Sequence, residues 1–318
     1  RSEGVLVLVN KRDEDDPGAT FTPQERDLVR ALGDQAAVTL DIVRLNEELA
    51  EKQRLEQELA VARDVQQLLL PREMPNLPEV TIAGISQPAL EVGGDYFDFI
   101  EVDADHLGIV VADVAGKGIP GALVMATMRA ALRAHAPGKL SPRDVLVAVN
   151  TVLVRDTKDS TFVSATYGVL DRRNGVLRFA RAGHEPTVCV AADQARVEML
   201  DPDGMVLGMI EGECFERIVE QEVDLKAAGA VLLYTDGVSE AMNGGGEEYG
   251  LDRFADVLKG CRHAMPRAMI DTVLDDIRQF TAGIAQHDDI TLVVLRWNAS
   301  VGSGTTAPAE RMAQPTFA

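Results

Sequence analysis

The chain has 318 residues, 46% of them hydrophobic, and carries 31 Lys and Arg against 51 Asp and Glu, for a net charge of −20. That length builds one large domain or two ordinary ones, and that charge repels a phosphate backbone, so nucleic acid is excluded as an expected partner. No apolar run approaches the roughly 20 residues that cross a bilayer, and Cys189, Cys214 and Cys261 are too scattered for a disulfide framework or a zinc site, so a cytoplasmic chain with no membrane contact is expected.

Residues 4–9 read as a buried strand. Thr22-Pro23-Gln24-Glu25 then opens a helix, with Thr22 as N-cap, Pro23 at the first helical position and Glu25 closing a capping box. From 28 to 70 there is no proline and one glycine, Gly33, while Leu45, Leu49, Leu55, Leu59, Ala62 and Leu69 recur amid charges. This spacing predicts a long signalling helix, partly heptad-like and broken between Leu49 and Leu55. A parallel homodimer through residues 43–70 is expected, against the alternative of an amphipathic helix packed on its own domain. Pro71, Pro75 and Pro78 mark residues 71–79 as a linker.

A second domain is expected over 80–298. Strands are predicted at 80–85, 96–102, 107–111, 162–170, 176–180, 187–190, 218–223, 231–234 and 290–295. Helices are predicted at 119–135, 142–154, 251–258 and 266–281, with Ser141 as N-cap of the second. Strands in runs with helices inserted in pairs argue for an α+β fold with antiparallel sheets, against a repeating parallel unit. Residues 299–318, rich in Gly, Ser, Thr, Ala and Pro, read as a disordered tail. Met125 and Met128 fit core packing better than a partner-binding face.

Four acidic motifs stand far apart: Gly93-Gly94-Asp95, Asp113-Val114-Ala115-Gly116, Thr235-Asp236-Gly237 and Asp288-Asp289-Ile290-Thr291. Separations of 18, 123 and 52 residues between Asp95, Asp113, Asp236 and Asp288 exclude any local helix spacing, so only a sheet can unite them. Three of the motifs sit at an edge of an apolar run. If those runs are neighbouring central strands, the carboxylates gather at one edge and suit two hard divalent cations. Alone, each aspartate is more simply a turn residue or helix cap.

With Ala182-Gly183-His184 and the longer runs Asp95-Tyr96-Phe97-Asp98, Gly116-Lys117-Gly118 and Gly237-Val238-Ser239-Glu240-Ala241, these motifs resemble the metal-dependent PPM-type serine/threonine phosphatases, in the SpoIIE/RsbU branch. The resemblance runs from Leu68-Leu69-Leu70-Pro71 to Trp297. It implies a four-layered αββα sandwich with two Mn²⁺ or Mg²⁺ ions at one end of the sheets. In that pattern Asp113 bridges both metals, the Val114 carbonyl is a further ligand, and Asp236 and Asp288 complete the direct shell. Asp95 acts directly or through a metal-bound water, and one member of the Asp288-Asp289 pair matches the ligand position. Asp113 and Asp236 thus carry catalysis through metal-bound water. The implied substrate is a phosphoserine or phosphothreonine on a STAS-type anti-anti-sigma partner. Neither a phosphate-binding arginine nor a leaving-group acid can be mapped: Arg72 sits in the linker, and His184 fits a packing role better.

Residues 1–42 resemble the C-terminal end of a GAF domain, through the strand at 4–10 and Phe21-Thr22-Pro23-Gln24-Glu25-Arg26. The order sensor, helix, phosphatase implies regulation through the linker helix. Three rival readings remain. A diguanylate cyclase leaves the Asp236 and Asp288 motifs unexplained. A thiol phosphatase built on Cys261 and Arg267 lacks a glycine cradle between them. A catalytically inactive, phosphatase-fold binding module should have lost ligands, yet every acidic position is filled.

Overall fold

The computed structural model describes residues 20–90, 92–116, 118–156, 161–191, 193 and 196–298. The expected strand at 4–9 and the tail at 299–318 lie outside the described residues. The chain divides into two compact units, Arg1–Val61 and Ala62–Ala318.

In the first unit the described residues lead into one helix, α1 (Pro23–Gln67), whose last turns belong to the second unit. Its start follows the expected capping box: the Glu25 N–H donates to Thr22 Oγ1 at 3.2 Å, and the Thr22 N–H donates to Glu25 Oε2 at 2.7 Å. The helix runs unbroken through residue 42 and buries no residue. Val38, Ile42, Leu45 and Leu49, spaced four, three and four, all remain exposed.

The second unit continues with β1 (Val80–Gln87), β2 (Tyr96–Glu101), β3 (His106–Val114), α2 (Ile119–His135) and α3 (Pro142–Asp156). Then come β4 (Val163–Asp171), β5 (Val176–Ala182), β6 (Thr187–Val190), β7 (Val197–Leu200), β8 (Glu220–Asp224) and the one-turn α4 (Leu225–Ala228). β9 (Ala230–Tyr234), α5 (Leu251–Gly260), α6 (Pro266–Thr281) and β10 (Ile290–Trp297) complete it. Ser141 caps α3 as expected, its Oγ accepting from the Asp144 N–H at 3.1 Å. β7 and α4 are additions to the predicted elements.

The strands form two antiparallel five-stranded sheets, in the orders β1-β10-β9-β6-β7 and β2-β3-β4-β5-β8. The two-residue period of a strand explains the layering. On β3, Leu107, Ile109 and Val111 point into the core between the sheets, while Val110, Ala112 and Val114 face Met125, Met128 and Leu132 of α2 and Leu146 and Val149 of α3. On β10, Val293 and Leu295 join the inter-sheet core, and Leu292 and Val294 face Phe254 of α5 and Met269 and Val273 of α6. The result is the expected four-layered αββα sandwich. Met125 and Met128 are fully buried, as core packing requires. Among the described residues, no helix is long and apolar enough to cross a membrane.

Candidate active site

Antiparallel pairing places the acidic motifs. Tyr96 pairs with Ala112, so Asp95, just before β2, lies beside the end of β3, carrying Asp113 and Val114. Tyr234 pairs with Leu292, so the loop after β9, carrying Asp236, lies beside the entry to β10, where Asp288 and Asp289 precede the strand. The apolar runs are therefore not all neighbours in one sheet: β9 and β10 adjoin, and β3 belongs to the facing sheet. A sandwich brings two strand ends together across its layers as readily as a single sheet does along its edge. The join is direct here, since Thr235 Oγ1 donates to Asp95 Oδ2 at 2.8 Å.

Asp113, Val114, Asp236, Asp288 and Asp289 line one cavity of about 260 Å³ at this end. Among the described residues, no three or more His, Cys, Asp or Glu side chains close on a single point. The carboxylates form the walls of a cavity, which is a different thing from a shell around one centre. Burial first, and then Asp236, Asp288 and Asp289, pushes the Asp113 carboxyl up to about 7. Asp95 is more deeply buried, behind this cavity, and burial followed by Asp113 raises it well above the usual carboxylate range. Neighbouring acids that hinder each other's ionisation are a standing cost that a divalent cation reverses, and an all-oxygen donor set suits Mg²⁺ or Mn²⁺. The residues present fit such ions.

Asp289 has a second task. Its Oδ1 accepts from the Ala89 N–H at 2.8 Å and its Oδ2 from the Gly94 N–H at 2.7 Å, so it fixes the loop before Asp95. The glycine pair of this loop is sterically required. A Cβ on Gly93 would collide with the Asp289 carboxylate, and one on Gly94 would come within 2.8 Å of the Val114 carbonyl. At the third residue of β2, buried Asp98 accepts from both Nε and Nη2 of Arg133, at 2.7 and 2.8 Å, and so ties β2 to α2.

His184 is buried, its Nδ1 lying 2.8 Å from the hydroxyl of Ser164, the residue paired opposite Asp113. Burial, then Arg181, lowers its pKa to about 3, so at neutral pH it is an uncharged packing group and carries no imidazolium proton to donate. Arg72 is exposed and does not line the cavity. The Cys261 thiol is pushed up by burial, the opposite of what a thiolate nucleophile needs. Sequence reasoning gave Thr235 no role, although a threonine beside the motif aspartate was visible. It also passed over Gln66, whose carboxamide pairs with the Gly93 backbone and which carries no local signal.

The family described as "Stage II sporulation protein E (SpoIIE)" matches residues 103–298. Phosphoserine phosphatase RsbU of Bacillus subtilis is 30% identical over 248 residues, 77% of this chain and 71% of that protein. The SiaA-PP2C domain of Pseudomonas aeruginosa superposes with a TM-score of 0.68 at 26% identity, covering 78% of this chain and 99% of that domain. The structure of the RsbU and RsbW domains of Rv1364c from Mycobacterium tuberculosis superposes with a TM-score of 0.58 at 28% identity, over 71% of this chain and 62% of that one. Sandwich, acidic cavity and sequence agree: the chain belongs to the SpoIIE family of PP2C-fold phosphatases.

Proposed function

We propose that this chain is a metal-dependent protein phosphatase that hydrolyses a phosphoserine or phosphothreonine on a STAS-type anti-anti-sigma partner. The observation that carries this reading is the convergence of Asp113, Asp236 and Asp288 on one cavity where the two sheets end together. These three carboxylates and the Val114 carbonyl would hold two Mn²⁺ or Mg²⁺ ions, with Asp95 and Asp289 completing the acidic set from behind and from the loop side. The ions supply an activated water at neutral pH and offset charge on the phosphoryl oxygens. Asp113, the penultimate residue of β3, would serve both ions. Thr235 orients Asp95, and Asp289 holds the loop that delivers it.

Partner switching is supported by the RsbU relative and by the RsbW domain that the Rv1364c structure contains. A homodimer through residues 43–70 is supported by the exposed Leu45, Leu49 and Leu55 of α1, since leucines left in water gain by covering one another. An upstream sensor would act through that helix.

The test is phosphate release from a phosphorylated STAS protein, with and without Mn²⁺, by the native chain and by Asp113→Asn and Asp236→Asn. Release that needs Mn²⁺ and is lost in both variants is expected. Full turnover in both variants refutes the site.

A further inference from the structure

The last turns of α1 touch the loop that carries Asp95. Gln66 Nε2 donates to the Gly93 carbonyl at 2.6 Å, and the Gly93 N–H donates to Gln66 Oε1 at 3.1 Å. A carboxamide offers a donor and an acceptor side by side, so it pairs with the N–H and C=O of one residue as a neighbouring strand would. Asp289 grips the same loop through Ala89 and Gly94. Gln66, Gly93, Asp95 and Asp289 together line a small cleft of about 50 Å³. Ala62 and Leu69, four residues before and three after Gln66, are half-buried like it, so this helix face is turned inward. A glutamine among such positions must have its amide matched, and the Gly93 backbone matches it.

We propose that Gln66 is a positioning residue of the metal site: its carboxamide fixes the Gly93–Asp95 loop, so the end of α1 sets the cation affinity of the aspartate cavity. This rests on the metal-dependent reading above and names its point of control. Without Gln66, the Gly93 backbone loses its side-chain partner, and this part of the loop must be ordered when cations bind. The loss of two hydrogen bonds makes the expected effect about tenfold in affinity.

The experiment measures Mn²⁺ binding to the full chain by titration calorimetry without substrate, together with amide hydrogen exchange across 93–95. Gln66→Met keeps the length and the apolar stem but removes the amide. Gln66→Glu keeps an acceptor for the Gly93 N–H but sets a carboxylate against the Gly93 carbonyl. Gln53→Met, at an exposed position of α1, is the control. Expected results are about tenfold weaker Mn²⁺ binding and faster exchange for Gln66→Met, weaker binding still for Gln66→Glu, and no change for Gln53→Met. At saturating Mn²⁺ both Gln66 variants should regain native turnover, a split between metal affinity and kcat that simple loss of folded protein does not produce. Native affinity and exchange in Gln66→Met would overturn the role of Gln66 alone. A native chain that binds no Mn²⁺ would overturn the metal-dependent reading itself.

Discussion

Leucine does opposite things in the two units. Along α1, Leu45 and Leu49 are 57% and 55% exposed, whereas Leu132 and Leu146 in the sandwich helices are fully buried. The helix owes its form to local terms: a capping box, residues with good helix propensity, and i to i+4 pairs such as Arg44–Glu48 and Arg54–Glu58, each at 3.0 Å. The sandwich owes its form to burial, and four of its buried polar groups, Asp95, Asp289, Thr235 and Thr291, cluster at one end. A segment can thus be well formed without being packed, its apolar side chains left exposed.

The largest effect belongs to the acidic end. Asp113→Asn should lower Mn²⁺-dependent phosphate release by about 10³-fold, since metal chemistry supplies several kcal/mol of transition-state stabilisation. Urea unfolding should show the fold intact. The same truncation made in each unit sharpens the contrast. Leu132→Ala should destabilise the sandwich by about 2–5 kcal/mol in urea unfolding, from lost burial plus a cavity. Leu49→Ala should change that stability by under about 0.5 kcal/mol and instead weaken self-association in sedimentation. Equal losses from both would end the distinction.

A smaller effect follows from His184. Its pKa is about 3 when folded, against an ordinary value near 6.5, so below that value the unfolded chain binds a proton that the folded chain refuses. Its contribution therefore falls as pH drops from about 6.5 toward 3, by up to about 1.4 kcal/mol per pH unit within that window. His184→Asn should flatten the acid limb of a plot of stability against pH, and an unchanged slope would remove the assignment. The smallest effect is expected from Arg54→Ala, which removes an exposed ion pair worth about 0.3–0.5 kcal/mol and should lower helicity slightly in circular dichroism.

What the sequence made legible was local. The apolar run of β3, the cap at Thr22, the N-cap at Ser141 and the glycines beside the aspartates each announce themselves within a few residues. The strand 197–200 went unread because Val197-Glu198-Met199-Leu200 is short and lies at a sheet edge, where burial imposes little alternation. The sheet to which β3 belongs was not legible either, because apolar runs look alike whichever layer they fill. Gln66 was invisible for a stronger reason. Its partner, Gly93, lies 27 residues away, and nothing in Val65-Gln66-Gln67 separates it from its neighbour.

The central claim is that aspartates from both sheets share a pair of cations, and the number of Mn²⁺ ions bound per chain tests it most directly. Equilibrium dialysis should find two ions for the native chain, fewer for Asp236→Asn and the greatest loss for Asp113→Asn. Two tightly held ions in Asp113→Asn would contradict the account.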